Sequence, residues 1–99
     1  MLKISVNDSN TRRLLILEGK LIAPWAKELE NLCQETASEP QHRTLIVDVA
    51  GVTDISSDGE DALVFLMVRG AKFRGSGVYM KQVLKQLARR ADSKREESR

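Results

Sequence analysis

Cysteine occurs once in these 99 residues, at Cys33, and histidine once, at His42. One thiol cannot close a disulfide within the chain, and one thiol with one imidazole cannot supply the ligands of a usual zinc site. No metal is expected. Aromatic residues are scarce, with one Trp, one Tyr and two Phe. No apolar run approaches the ~20 residues that a membrane-spanning helix needs; the longest is Ala62 to Val68. The opening MLKISVNDSN has no apolar signal core. A cytoplasmic protein is therefore expected. Formal charge is only +2, and from Arg89 onward five Lys/Arg stand against three Asp/Glu. Without that end the chain is close to neutral, so no nucleic-acid partner is expected. The phosphate-cradling patterns G-x-x-x-x-G-K-[ST] and G-x-G-x-x-G are missing, and no cofactor is implied.

What is present fits one folded domain. Hydrophobic residues make up 41% and charged residues 30%, an ordinary globular balance. A chain of this length buries roughly two-thirds of its unfolded surface. That supports a single core and leaves little room for a deep enclosed pocket. The domain is expected to span residues 1–91, with a charged C-terminal tail at 92–99 that either frays or extends the last helix.

Leu2, Ile4 and Val6 alternate with polar residues, as in a half-buried strand. Asn7 to Asn10 is a turn cluster, and Arg13 to Glu18 reads as a second strand, ended by Gly19. Pro24 suits the first turn of a helix, in which Trp25, Leu29, Leu32, Cys33 and Thr36 share one face. Ala37 to Arg43 is a polar loop. Thr44 to Val49 is a short apolar run that suggests a central strand. A second long helix is expected over Ser57 to Phe73, ending near Gly75, then a strand at Gly77 to Met80. Val83, Leu84, Leu87, Ala88 and Ala91 mark a third helix. The order β-β-α-β-α-β-α implies an α/β fold, a small mixed sheet with helices packed on it.

The segment from Ile46 to Leu63 reads IVDVAGVTDISSDGEDAL. It resembles the signature of the STAS domain of anti-sigma-factor antagonists, in which a strand ending D-hydrophobic-x-x-V-x-x-I-D-S-S-G-x-x-x-L opens a helix. Gly19-Lys20-Leu21 and the stretch from Gly75 to Met80 are also similar to that family. The resemblance covers Leu2 to Leu87. It implies a non-catalytic module that docks a regulatory protein, typically an anti-sigma-type serine kinase, through the second long helix and the serine loop before it. It also implies that Ser57, the first serine of D-S-S-G, is the residue phosphorylated. Here the family's Asp is replaced by Ser56 and its second Ser by Asp58, and Asp54 stands where a hydrophobic residue is usual. The last short strand and helix of longer members are expected to be lacking.

Two roles compete for Ser57. As a helix cap, its hydroxyl would accept from an amide of the first turn while Glu60, three residues on, reaches back. As a phosphorylation site, it would carry a phosphate at a helix N-terminus, which favours anions. Asp54, Asp58, Glu60 and Asp61 crowd the same loop with negative charge, so Asp58 can hold it in a state resembling the modified one. Their spacing lacks the Asp-x-Asp-x-Asp-Gly order and closing Glu of a calcium loop.

The second helix carries apolar residues on two sides. At 100° per residue Leu63, Leu66, Met67, Gly70 and Phe73 fall together, as a sheet-facing stripe should. Val64, Phe65 and Val68 fall opposite, near Asp61. Either the domain covers both sides or the second is an interaction patch; a chain this short favours the patch. The expected partner surface is therefore Ser56, Ser57, Asp58, Asp61, Val64, Phe65 and Val68.

Gly70, inside the expected helix, is read as a position of close packing against a strand. His42 is read as solvated surface, Cys33 as core, and Trp25 as packing over the end of the sheet. No base, nucleophile and orienting group can be assembled from these residues, so an enzyme is not expected. Two alternatives to the docking module remain: a structural domain that forms a homodimer through Val64, Phe65 and Val68, and a module that senses a small molecule or lipid.

Overall fold

The alternation of Leu2, Ile4 and Val6 becomes an edge strand. The computed structural model describes residues 1–39, 43–75 and 77–97; His42 lies outside them. Strand β1 (Leu2–Asp8) pairs antiparallel with β2 (Arg12–Leu21) without a break in register, from Leu2 opposite Gly19 to Asp8 opposite Arg13. The Ser9 amide closes the turn on the Arg12 carbonyl at 2.8 Å, and the Arg12 amide returns a bond to the Ser9 hydroxyl at 3.1 Å. Gly19, at φ +108°, lies where a side chain would collide with the Met1 carbonyl oxygen. Glycine alone meets both demands.

The rest of the sheet is parallel. Strand β3 (Thr44–Ile55) lies beside β2, and the short β4 (Lys72–Arg74) beside β3, giving the order β1-β2-β3-β4. Parallel neighbours need crossover helices. These are α1 (Trp25–Ala37) between β2 and β3, and α2 (Ser57–Val68) between β3 and β4. Helix α3 (Val78–Glu97) follows β4. The element order and the mixed sheet are those expected from the sequence. The core forms where Leu15, Leu17, Val47 and Val49 of the sheet meet Leu29 and Cys33 of α1 and Leu63 and Leu66 of α2. Helix α3 packs on α2 and buries Met80, Leu87 and Ala91, so α2 lies between α1 and α3.

Some boundaries differ from the sequence reading: β3, expected over Thr44 to Val49, runs on to Ile55. Helix α2 stops at Val68, five residues short of Phe73. The Gly70 amide donates to the Met67 carbonyl and the Ala71 amide to the Leu66 carbonyl, both at 3.0 Å. With Gly70 at φ +90°, this is the left-handed turn that ends helices. Gly70 is thus a helix stop, not a close-packing position; nothing lies within 4 Å of a side chain placed there. Phe73 consequently sits on β4, opposite Val47. The segment Gly77 to Met80 is no strand: Val78 begins α3. Val78 and Tyr79 stay 80% and 65% exposed while Met80 is buried, which is a helical pattern. Of the two outcomes expected for the charged stretch from Asp92, the helix is the one seen: α3 continues as far as Glu97.

The second apolar side of α2 is also accounted for. Val64 is fully buried, as Leu63 and Leu66 are, because α1 and α3 flank the helix on both sides. A helix enclosed in this way is apolar nearly all round. Val64 is core, and a partner cannot reach it. Phe65 and Val68 are half-buried.

Candidate functional site

The loop from β3 into α2 is fixed by its backbone. The Ser56 amide donates to the Leu21 carbonyl at the end of β2 (3.1 Å), and the Glu60 amide donates to the Ser56 carbonyl (2.9 Å). The Ser56 hydroxyl accepts from the Gly59 amide at 3.2 Å. Ser56 is therefore the N-cap of α2, at φ −84° and ψ 174°. This corrects the capping box built on Ser57 and Glu60: the register is one residue earlier, and the residue three positions after the cap is Gly59. Gly59 is buried, and a side chain on it would collide with the Leu21 carbonyl oxygen. Its missing side chain lets the first turn of α2 sit directly on the end of β2.

With Ser56 turned inward, Ser57 and Asp58 are exposed on the first turn. The Ser57 hydroxyl makes no hydrogen bond among the described residues. Asp54 is exposed and accepts from the Thr53 hydroxyl at 3.4 Å. Asp61 accepts from Arg90 of α3 at 2.8 Å, and Glu60 lies 3.9 Å from the same guanidinium. Arg90 thus touches two of the loop's four carboxylates, and the acidic charge lies near a helix N-terminus that favours it. Among the described residues no group of His, Cys, Asp and Glu is arranged to hold a metal ion.

Below this acidic turn two apolar side chains, Phe65 and Val68, lie among charged ones. A shallow groove of about 470 Å³ is lined by Phe65, Val68, Asp61 and Arg69 of α2 and its C-cap, Glu30 of α1 and Lys94 of α3. The Arg69 guanidinium stacks 3.5 Å over the Phe65 ring and donates to the Phe65 carbonyl at 3.3 Å. Of the seven residues expected on the partner surface, the structure brings Ser57, Asp58, Asp61, Phe65 and Val68 along one outer line of α2. It places Ser56 in the cap and Val64 in the core.

Two other concavities frame the domain. A cleft of about 570 Å³ between β4 and α3 has Phe73, Leu84 and Ala88 on its walls and Lys81 and Lys85 at its rim. Another, of about 350 Å³, runs along β1 and α1 between Leu2, Ile4, Val6, Trp25, Glu28 and Leu32. Trp25 therefore packs beside the edge strand. Cys33 is buried, and desolvation pushes its thiol above the ordinary value despite nearby Arg69.

Sequence reasoning missed Arg90 and the seating role of Gly59. The spacing of Leu87 and Ala91 on the buried side of α3 was the available signal for Arg90, which sits at the edge of that stripe. For Gly59 it was the glycine in the first turn of a helix, where glycine is costly.

No protein-family model and no curated protein matches the sequence. Solved structures do match in shape. The anti-sigma factor antagonist SpoIIAA in its unphosphorylated form is 11% identical, with a TM-score of 0.65 over 84% of this chain and 82% of its own. An uncharacterised protein with a SpoIIAA-like fold from Shewanella loihica is 13% identical, with a TM-score of 0.55 over 80% of this chain and 71% of its own. An antisigma-factor antagonist STAS domain from Rhodobacter sphaeroides is 17% identical, with a TM-score of 0.50 over 79% and 88%. At these identities the likeness is one of fold, and the chain has the STAS fold. None of its helices, among the described residues, is long and apolar enough to cross a membrane.

Proposed function

We propose that this domain is a protein-docking module of the anti-sigma-factor-antagonist kind, which engages a regulatory partner through the serine loop and the outer side of α2. The observation that carries the reading is the continuity of Ser57, Asp58 and Asp61 with the half-buried Phe65 and Val68. A partner there meets an acidic knob beside a small groove in which Phe65 and Val68 are ringed by Glu30, Asp61, Arg69 and Lys94, the mixture of anchor and polar rim that docking surfaces use. A serine kinase of the anti-sigma type suits it, since Ser57 presents an exposed hydroxyl on the first turn of the helix. Asp58 beside it supplies a standing negative charge, so the unmodified loop already resembles its phosphorylated form, and phosphate on Ser57 adds to that charge. A photo-cross-linking residue at Asp58, with Lys72 on β4 as the control position, tests the reading in the native cell. The expected result is one adduct from Asp58, lost in the folded variant Asp61→Lys. Equal adducts from both positions, or none from Asp58, overturn it.

A second reading, a small-molecule or lipid sensor, draws on the cleft between β4 and α3. Its volume of about 570 Å³ falls in the range of ligand sites, and its lysine rim suits an anionic head group. Native mass spectrometry of the purified protein, showing a bound small molecule or none, decides between the two.

A further inference from the structure

We propose that β1 is an assembly edge, through which two copies of this chain join their sheets into one. The evidence begins with the backbone. At one end of the β1–β2 ladder the Ser9 amide donates to the Arg12 carbonyl, and at the other the Lys20 amide donates to the Met1 carbonyl. The register between them has no shift. In an antiparallel ladder, residues that bond to the neighbour alternate with residues that do not. The odd positions Lys3, Ser5 and Asn7 therefore spend their amides and carbonyls on β2. Leu2, Ile4, Val6 and Asp8 direct theirs at the free edge of the sheet.

Such an edge is a template for another strand, and proteins usually blunt it with proline, a bulge or a very short strand. Strand β1 has seven residues, no proline and no bulge. The opposite edge, β4, has only three residues. The two charged side chains of β1 do not obstruct pairing. Lys3 points away from the helices, since it alternates with buried Leu2, and Asp8 is held by Arg13 and Arg43.

The occupant that fits is a second copy of β1 running antiparallel. The register that overlaps all seven residues places Ser5 opposite Ser5 of its twin, Ile4 opposite Val6, Leu2 opposite Asp8, and Lys3 opposite Asn7. Every outward backbone group then meets an outward group. Opposed residues in such a ladder share a face, so Ile4 and Val6 of the two copies meet on the helix side. There each copy has its largely apolar groove of Leu2, Ile4, Val6, Trp25 and Leu32, with Glu28 also in its lining, and Val6 is 45% exposed in the single chain. The two grooves become one, and along the paired strands no like charges are opposed. The inference is independent of the docking reading, because it uses none of Ser57, Asp58, Asp61, Phe65 or Val68. Both serine loops would lie on the same side of the joined sheet, giving a bivalent surface.

The test is sedimentation equilibrium of the wild type and Val6→Pro at about 100 µM protein, a level suited to an interface of small area. Proline at Val6 removes an amide that faces the free edge and leaves the β1–β2 ladder whole, so the variant keeps its fold. The expected result is a wild-type dimer and a folded Val6→Pro monomer. Val6→Glu, which keeps the amide but adds two carboxylates to a joined groove that Glu28 already lines, also weakens the dimer. Phe65→Ser leaves it intact. A wild type that is monomeric throughout, or a Val6→Pro dimer, overturns the proposal.

Discussion

The Gly59 amide donates to the Ser56 hydroxyl at 3.2 Å, while the hydroxyl of the adjacent Ser57 is left outside the cap. One serine thus holds the helix and the next is left exposed. Removing a cap of this kind costs about 1 kcal/mol. Ser56→Ala should lose about that much in urea unfolding, and Ser57→Ala should stay within ~0.5 kcal/mol of wild type, as exposed substitutions do. The reverse ranking would put the cap on Ser57.

Gly59 and Gly70 bracket α2 and should fail in different ways. Alanine at Gly59 meets the Leu21 carbonyl, and overpacking of this sort typically costs about 1–3 kcal/mol. Because Leu21 also accepts from the Ser56 amide, Gly59→Ala should disturb the serine loop as well, visible as amide shifts at residues 56–58. Gly70→Ala meets open space, and only its positive φ is penalised, by about 1–2 kcal/mol. Amide shifts of Gly70→Ala should stay near the end of α2; spread into the serine loop would show that the two ends are coupled.

These two glycines also mark how far the sequence could be read. The alternation in β1, the apolar run of β3 and the helical face of α1 are periodic, and each signals its own element. The serine segment was legible because its pattern repeats one already known. The end of α2 was not, because Phe73 continues the helical stripe of Leu63, Leu66 and Met67 across Gly70, and only the left-handed turn at Gly70 breaks the helix. The strand β4 is three residues with charges at both ends, Lys72 and Arg74, so periodicity had nothing to register. The short apolar run at Val78 and Tyr79 imitated a strand instead. For the site, Val64 was misplaced because cover from α3 is a tertiary fact: no window of sequence around α2 contains Leu87 or Ala91.

Burial governs the only thiol. Cys33 is 3% exposed, and desolvation raises its pKa, so little thiolate is present in the native protein. An aromatic disulfide reagent at pH 8 should label native protein slowly and denatured protein at once. Rapid stoichiometric labelling without denaturant would show that the space between α1 and the sheet opens readily.

Acid should act through Asp8. Arg13 forks onto its carboxylate at 2.9 and 3.1 Å, and Arg43 adds a contact at 3.2 Å. The Arg13 hydrogen bonds, ahead of the remaining charge attraction, hold the Asp8 carboxyl below its ordinary value of 3.8. The folded state then binds fewer protons than the unfolded state around that pH. Stability from this contact is complete above the unfolded value and is lost as pH falls through the lowered folded value. Asp8→Asn should therefore melt below wild type at pH 7, with Arg13 still held by Glu39 at 3.1 Å. The gap should narrow as the pH drops below 3.8 and close once the wild-type carboxyl is protonated. A gap that stays constant across that range would mean that Asp8 contributes through the shape of the turn, not through its charge.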